Sequence, residues 1–202
     1  MFNLLTSQLP ISNWASNCVD WLTEHFAGFF NLIQQGGNAL MDAMTNGLVA
    51  IPMFLVIAGL FVIAVATSPK KWGFPIFTLL GLLLIANQGL WEDLMSTMTL
   101  VIMSALISLI IGVPLGILMA KSDRTQAIVQ PILDFMQTMP GFVYLIPAVA
   151  FFGIGVVPGV FASIIFALPP VVRMTNLGIR QVSTSLVEAA DSFGSTTWQR
   201  IN

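Results

Sequence analysis

Polar and charged residues in this chain gather into short clusters separated by long apolar stretches. Residues 43–69, 72–91, 94–120 and 135–172 contain no Asp, Glu, Lys or Arg. A helix needs about 20 apolar residues to cross roughly 30 Å of hydrocarbon, so each of the first three stretches predicts one spanning helix. The fourth is too long for one span, and Gly153, Gly155, Pro158 and Gly159 interrupt it near its middle. It predicts two spans joined by a tight turn, giving five in all. The alternation of a lipid-facing strand is absent, and helices are the other way to satisfy backbone groups in hydrocarbon.

Ahead of these stretches the period changes. Trp14, Cys18, Trp21, Leu22, Phe26, Phe29 and Ile33 recur at steps of three and four, while Ser16, Asn17, Asp20, Glu24 and Asn31 take much of the other face. This predicts an amphipathic helix over 12–35, lying along the membrane surface or packed on a partner subunit. It has no Lys or Arg, so attraction to anionic lipid is not what would hold it there. Residues 1–20 lack the basic start and long apolar centre of a cleavable signal peptide.

Composition agrees with the pattern. Hydrophobic residues make up 56% of the 202 and charged residues 8%, against roughly a quarter charged in a soluble domain. One cysteine excludes a disulfide scaffold, the apolar content excludes disorder, and net charge -2 without a basic run argues against nucleic acid. With five spans, the segments at 68–71, 121–134 and after Arg173 share one side and hold every Lys and Arg. The opposite side holds Asp20, Glu24, Asp42, Glu92 and Asp93 and no positive charge. The positive-inside rule makes the first side cytoplasmic and the N-terminus external. Trp72 and Trp91 bracket the second span, as interfacial aromatics do.

Catalytic chemistry is hard to find. His25 is the only histidine and Cys18 the only cysteine, so no metal-ligand cluster can be composed from them. Gly153-Ile-Gly155-Val-Val-Pro-Gly159 has the outline of a dinucleotide loop, but Pro158 stands at the third glycine and no βαβ context surrounds it; a turn between spans is the better reading. Ala120-Lys121-Ser122 lacks the glycines of a phosphate loop. The chain is therefore read as no enzyme, with no nucleotide site and no cofactor of its own. Nor do the spans hold the buried carboxylates an ion-coupled carrier uses. Energy for any transport would come from another subunit.

Residues 183–194 carry a local helix signal. Ser185 and Glu188 make an S-x-x-E capping box and Gly194 supplies a stop, predicting a helix of about two turns over 186–193. Ala189 and Ala190 give it a thin face for close approach, and Phe193 an apolar anchor. From local physics alone it fits a docking helix or an ordinary connection.

Glu188-Ala189-Ala190 followed by Gly194 resembles the EAA signature of binding-protein-dependent ABC importer permeases. Gln137-Thr-Met-Pro-Gly-Phe-Val-Tyr-Leu-Ile-Pro147, Phe152-Gly-Ile-Gly-Val-Val-Pro-Gly159, Phe166-Ala-Leu-Pro-Pro-Val-Val-Arg173 and Asn176-Leu-Gly-Ile-Arg-Gln-Val182 resemble the glycine betaine/proline betaine branch. The likeness is strong over about 85–202 and loose before it. It implies an all-α membrane protein divided into an external amphipathic segment (1–45), two peripheral helices (46–93) and a permease core (94–202). It implies that Glu188, Ala189, Ala190, Phe193 and Gly194 couple the chain to a cytoplasmic ATPase, which binds ATP-Mg. It also implies a second permease copy, a substrate-binding protein or fused binding domain, and a bacterial plasma-membrane location. The family pattern continues beyond this glycine to an Ile-x-Leu-Pro element and further spans, whereas this chain stops at Asn202, so the core is expected to be incomplete at its C-terminus.

The implied solute is betaine-like; alternatives are a permease for choline, carnitine or methionine, and a membrane scaffold without transport. Aromatic faces hold quaternary ammonium groups, but in such importers the selective cage is expected on the binding protein. Most of Phe135, Phe142, Tyr144, Phe151 and Phe152 are expected to face lipid or neighbouring helices. Gln137, Thr138 and Tyr144 are the candidates for lining the pathway. Pro114, Pro140, Pro147, Pro169 and Pro170, with Gly112 and Gly116, allow kinked helices that pack closely, whether static or pivoting.

Overall fold

The computed structural model describes residues 11–68, 71–183 and 192–194. Among them there are eight helices and no strand: α1 (Ile11–His25), α2 (Ala27–Val49), α3 (Met53–Thr67), α4 (Gly73–Asn87), α5 (Trp91–Lys121), α6 (Asp123–Thr138), α7 (Gly141–Phe152) and α8 (Val156–Arg180). The protein is an all-α membrane protein. With 31 and 25 residues, α5 and α8 are each long and apolar enough to span; at 1.5 Å per residue they measure about 46 and 37 Å.

The remaining apolar stretches depart from one helix per stretch. The run at 43–69 is divided: its first residues finish α2, and α3 follows after an 80° bend. Pro52 stands at that bend as the residue before α3. It cannot donate to the preceding turn, and it biases Ile51 away from helical torsions. Position 121–134, expected as a loop, is mostly helix. Ser122 caps α6 by accepting from the Thr125 amide at 3.2 Å. α6 then runs four residues into the uncharged stretch and ends before Pro140. Met139 is extended there (φ -91, ψ 135), as a residue preceding proline prefers. α7 leaves at 95° to α6. Two helices thus span on length and composition alone, four if each bent pair is one span, with α4 a shorter apolar helix of 15 residues. The count of five stands as an expectation. Of the turn expected at 153–159, residues 153–155 lie between α7 and α8, with Gly153 at φ +72, whereas Pro158 and Gly159 fall in the first turn of α8.

Two compact units divide the chain, Met1–Ile102 with Pro147–Gly159, and Met103–Ile146 with Val160–Asn202. In the first, the expected amphipathic helix is two helices parted at Phe26. The face of α2 that packs is not the one the sequence pattern favoured. Phe29 and Ile33 stay exposed, while Phe30 stacks on Phe151 at 4.9 Å and meets Phe152 edge-on at 5.6 Å. Ala148, Phe152 and Val157 complete this core. Two turns on, Gly37 admits Val157: a Cβ there would lie 2.9 Å from Val157 Cγ2. Further along α2, Thr45 donates to Thr99 Oγ1 at 3.0 Å, and Thr99 donates to the Met95 carbonyl at 3.0 Å, so the buried hydroxyls are satisfied. Phe151 and Phe152 are therefore packing residues.

Candidate functional site

The second unit is built on close contact between α5 and α8. Gly112 and Gly116 face α8 one turn apart. A Cβ on Gly116 would lie 2.6 Å from Thr175 Cβ and 2.8 Å from the Val172 carbonyl oxygen. One on Gly112 would lie 2.7 Å from Val171 Cγ1. Small residues let the two backbones approach, as membrane helices require when apolar burial gives no advantage over lipid. Near its start the pair is joined by Ser104, whose Oγ donates to the Val160 carbonyl at 3.5 Å. Partners on both helices rise in number together, so α5 and α8 run parallel. Residues 122–159 must then return the chain from the Lys121 end to the Ser104 end, which is the course expected of a crossing segment.

At the Lys121 end, α6 folds back antiparallel to α8. Met119, Leu133 and Val172 form a buried core, with Leu115, Val129, Met136 and Leu168 packed around it. Two ion pairs flank it. Arg173 is bonded to Asp134, and Arg180 Nη2 donates to Asp123 Oδ1 at 2.7 Å. Arg180 makes two further bonds: Nε to Asn176 Oδ1 at 3.1 Å and Nη2 to the Met119 carbonyl at 3.0 Å. One guanidinium thereby joins the end of α5, the start of α6 and its own helix α8.

The segment expected to meet an ATPase begins three residues later. Glu188, Ala189 and Ala190 lie outside the described residues, as does the capping residue Ser185. Phe193 is 92% exposed. Gly194 has φ +76, the left-handed torsion a helix-stop glycine adopts. The exposed phenyl beside a turn leaves an apolar group available for contact outside the chain.

The three pathway candidates fall together at the bend between α6 and α7. Tyr144 is half-buried, and its hydroxyl donates to the Met136 carbonyl at 2.9 Å. That carbonyl lies in the last turn of α6, where no helical amide remains to take it. Thr138 Oγ1 donates to the Phe135 carbonyl at 2.8 Å, and Gln137 is exposed. Tyr144 and Thr138 thus satisfy the broken helix end, while Gln137 keeps its amide outward.

The arginine and aspartate pairs were absent from the sequence reading of the site, which took them only as markers of the cytoplasmic side. Their spacing carried a signal: Arg173 and Arg180 are seven apart and Asp123 and Asp134 eleven apart, each near a whole number of helical turns. Two cations and two anions on single faces predict facing helices.

Residues 112–202 match the family described as the binding-protein-dependent transport system inner membrane component. Along nearly its whole length the chain is similar to curated transport proteins. It is 57% identical over 96% of its residues to the glycine betaine/carnitine transport permease protein of Listeria monocytogenes, covering 69% of that protein. It is 47% identical, over 96% of its residues and 68% of the relative, to the glycine betaine transport system permease protein of Bacillus subtilis. To the glycine betaine/proline betaine transport system permease protein of Escherichia coli it is 41% identical, over 99% of this chain and 57% of that one.

Proposed function

The chain belongs to the binding-protein-dependent transport system inner membrane components, and we propose that it forms, with a second copy of itself, the membrane pathway of an ATP-driven importer for betaine-type compatible solutes. The observation that carries this reading is 57% identity across 96% of the chain to a permease named for glycine betaine and carnitine. Such a solute has a permanent cation and a carboxylate. It cannot cross hydrocarbon unaided, and it can be held by aromatic faces without a counter-charge in the membrane. The apolar spans suit that division of work, with recognition on the external binding protein and passage between helices of the permease. Carnitine shares both charged groups and appears in the same relative's name, so it is the second reading.

Energy enters from a cytoplasmic ATPase that binds ATP-Mg, and the segment 186–194 docks on it through Phe193 and the thin Ala189–Ala190 face. Gly194, at φ +76, has the torsion that would end such a helix without strain. Motion then passes along α8, which the Gly112 and Gly116 contacts hold against α5. The bend at Met139–Pro140 lets α7 turn against α6, with Gln137, Thr138 and Tyr144 beside the solute's route. Residues 46–93 are peripheral, and the N-terminus is external. The test of coupling is Glu188→Lys with Gly194→Pro in the assembled transporter. Solute-stimulated ATP hydrolysis should be lost while the permease and ATPase still copurify; unchanged hydrolysis contradicts the assignment.

A further inference from the structure

We propose that Arg180 is the positioning residue through which movement of the ATPase-docking segment reaches α5 and α6, a role that rests on the coupling reading above. Arg180 is the last residue of α8, and the docking segment begins at residue 183. On its N-terminal side that segment is joined to the spans through the end of α8. At that end the guanidinium bonds three partners on three helices, Asn176, the Met119 carbonyl and Asp123.

The electrostatics favour this arrangement. Met119 is in the last turn of α5, where carbonyls lack helical donors and the helix dipole presents its negative end. Asp123 is the first residue of α6, where a carboxylate meets the positive end. The helix α5 therefore ends, and α6 begins, around one cation supplied by α8. Asn176 is buried and fixes the guanidinium plane through Nε, leaving Nη2 aimed at the other two acceptors. A lysine ammonium has no planar fork and cannot hold Asn176 while reaching both other acceptors in this geometry.

Packing explains why the bond matters for motion. The Gly116 contacts make α5 and α8 a tight pair, whereas α6 meets α8 through a side-chain core and two ion pairs. Asp123 is 91% exposed, so its tie to Arg180 is the contact at the start of α6 that can be made and broken without opening a core. A shift of the α8 end then either carries the start of α6 with it or releases it.

The experiment compares hydrolysis by the assembled transporter, reconstituted with its ATPase and loaded binding protein, for Arg180→Gln, Arg180→Lys and Asp123→Asn. The readout is the ratio of solute-stimulated to unstimulated ATP hydrolysis, because loss of folded transporter lowers both rates together and leaves the ratio alone. Arg180→Gln should lower that ratio about tenfold, within the span of measured coupling energies. Arg180→Lys, which keeps one contact, should recover part of it, and Asp123→Asn should fall between. An unaltered ratio in Arg180→Gln, where Glu188→Lys with Gly194→Pro lowers it, overturns this proposal and leaves the coupling reading standing. If neither lowers the ratio, the coupling reading fails and this proposal with it. Should Arg180→Gln not assemble, Asp123→Asn decides alone: an unaltered ratio there overturns the tie to α6.

Discussion

Arg173 on α8 is ion-paired with Asp134 on α6, two helical turns before Arg180 repeats the arrangement with Asp123. The Arg173 pair closes one flank of the Met119–Leu133–Val172 core, and its side chains are 38% and 54% exposed. Exposed pairs of this kind contribute about 0.2–1 kcal/mol, since water and salt screen them. A double-mutant cycle with Arg173→Gln and Asp134→Asn, followed by thermal unfolding in detergent, should give a coupling energy in that range. It should shrink as salt is raised. A larger, salt-insensitive value would place the pair in a much drier setting than this structure does.

Gly116 and Gly112 differ in what an added methyl would strike. At Gly116 it meets a β-carbon and a backbone oxygen, neither of which can swing aside. At Gly112 it meets Val171 Cγ1 at 2.7 Å, with the β-carbon of that residue farther off at 3.1 Å and no backbone atom among the nearest three. Overpacking costs about 1–3 kcal/mol in a tight core. Gly116→Ala should fall at the upper end and lower transport at a given expression level, and Gly112→Ala at the lower end. A Gly116→Ala variant as stable as the unaltered protein would contradict the close approach of α5 and α8.

Cys18 is the chain's one cysteine and is exposed on α1. The proposed external N-terminus requires that a membrane-impermeant maleimide added to whole cells label it in the unaltered protein, recovered afterwards by purification. Labelling that appears only after the cells are opened would reverse the orientation.

Much of this architecture was legible in the charge-free stretches, and the failures have physical causes. α5 was plain because it fills a charge-free stretch long enough to span, and α8 because it takes the second half of the longest one. The bend at Pro52 was missed because apolar residues run straight through it, while at Pro140 a kink was foreseen but not a turn of 95°. α6 was read as a loop because its charges were taken as evidence of exposure alone, when Asp123 and Asp134 share a face with a capped start at Ser122. Gly112 and Gly116 were legible as small residues one turn apart. The Arg180 bond to the Met119 carbonyl was not, because any residue has a carbonyl and only the fold selects which one meets a cation. The docking segment at 186–193 is known from its residues alone.

The most direct test of the central claim is ATP-dependent uptake of labelled glycine betaine into vesicles that hold the assembled transporter, with its binding protein outside and ATP within. Betaine should accumulate against its gradient, with proline betaine and carnitine competing and methionine without effect. Accumulation of methionine, with no uptake of betaine or carnitine, would contradict the account.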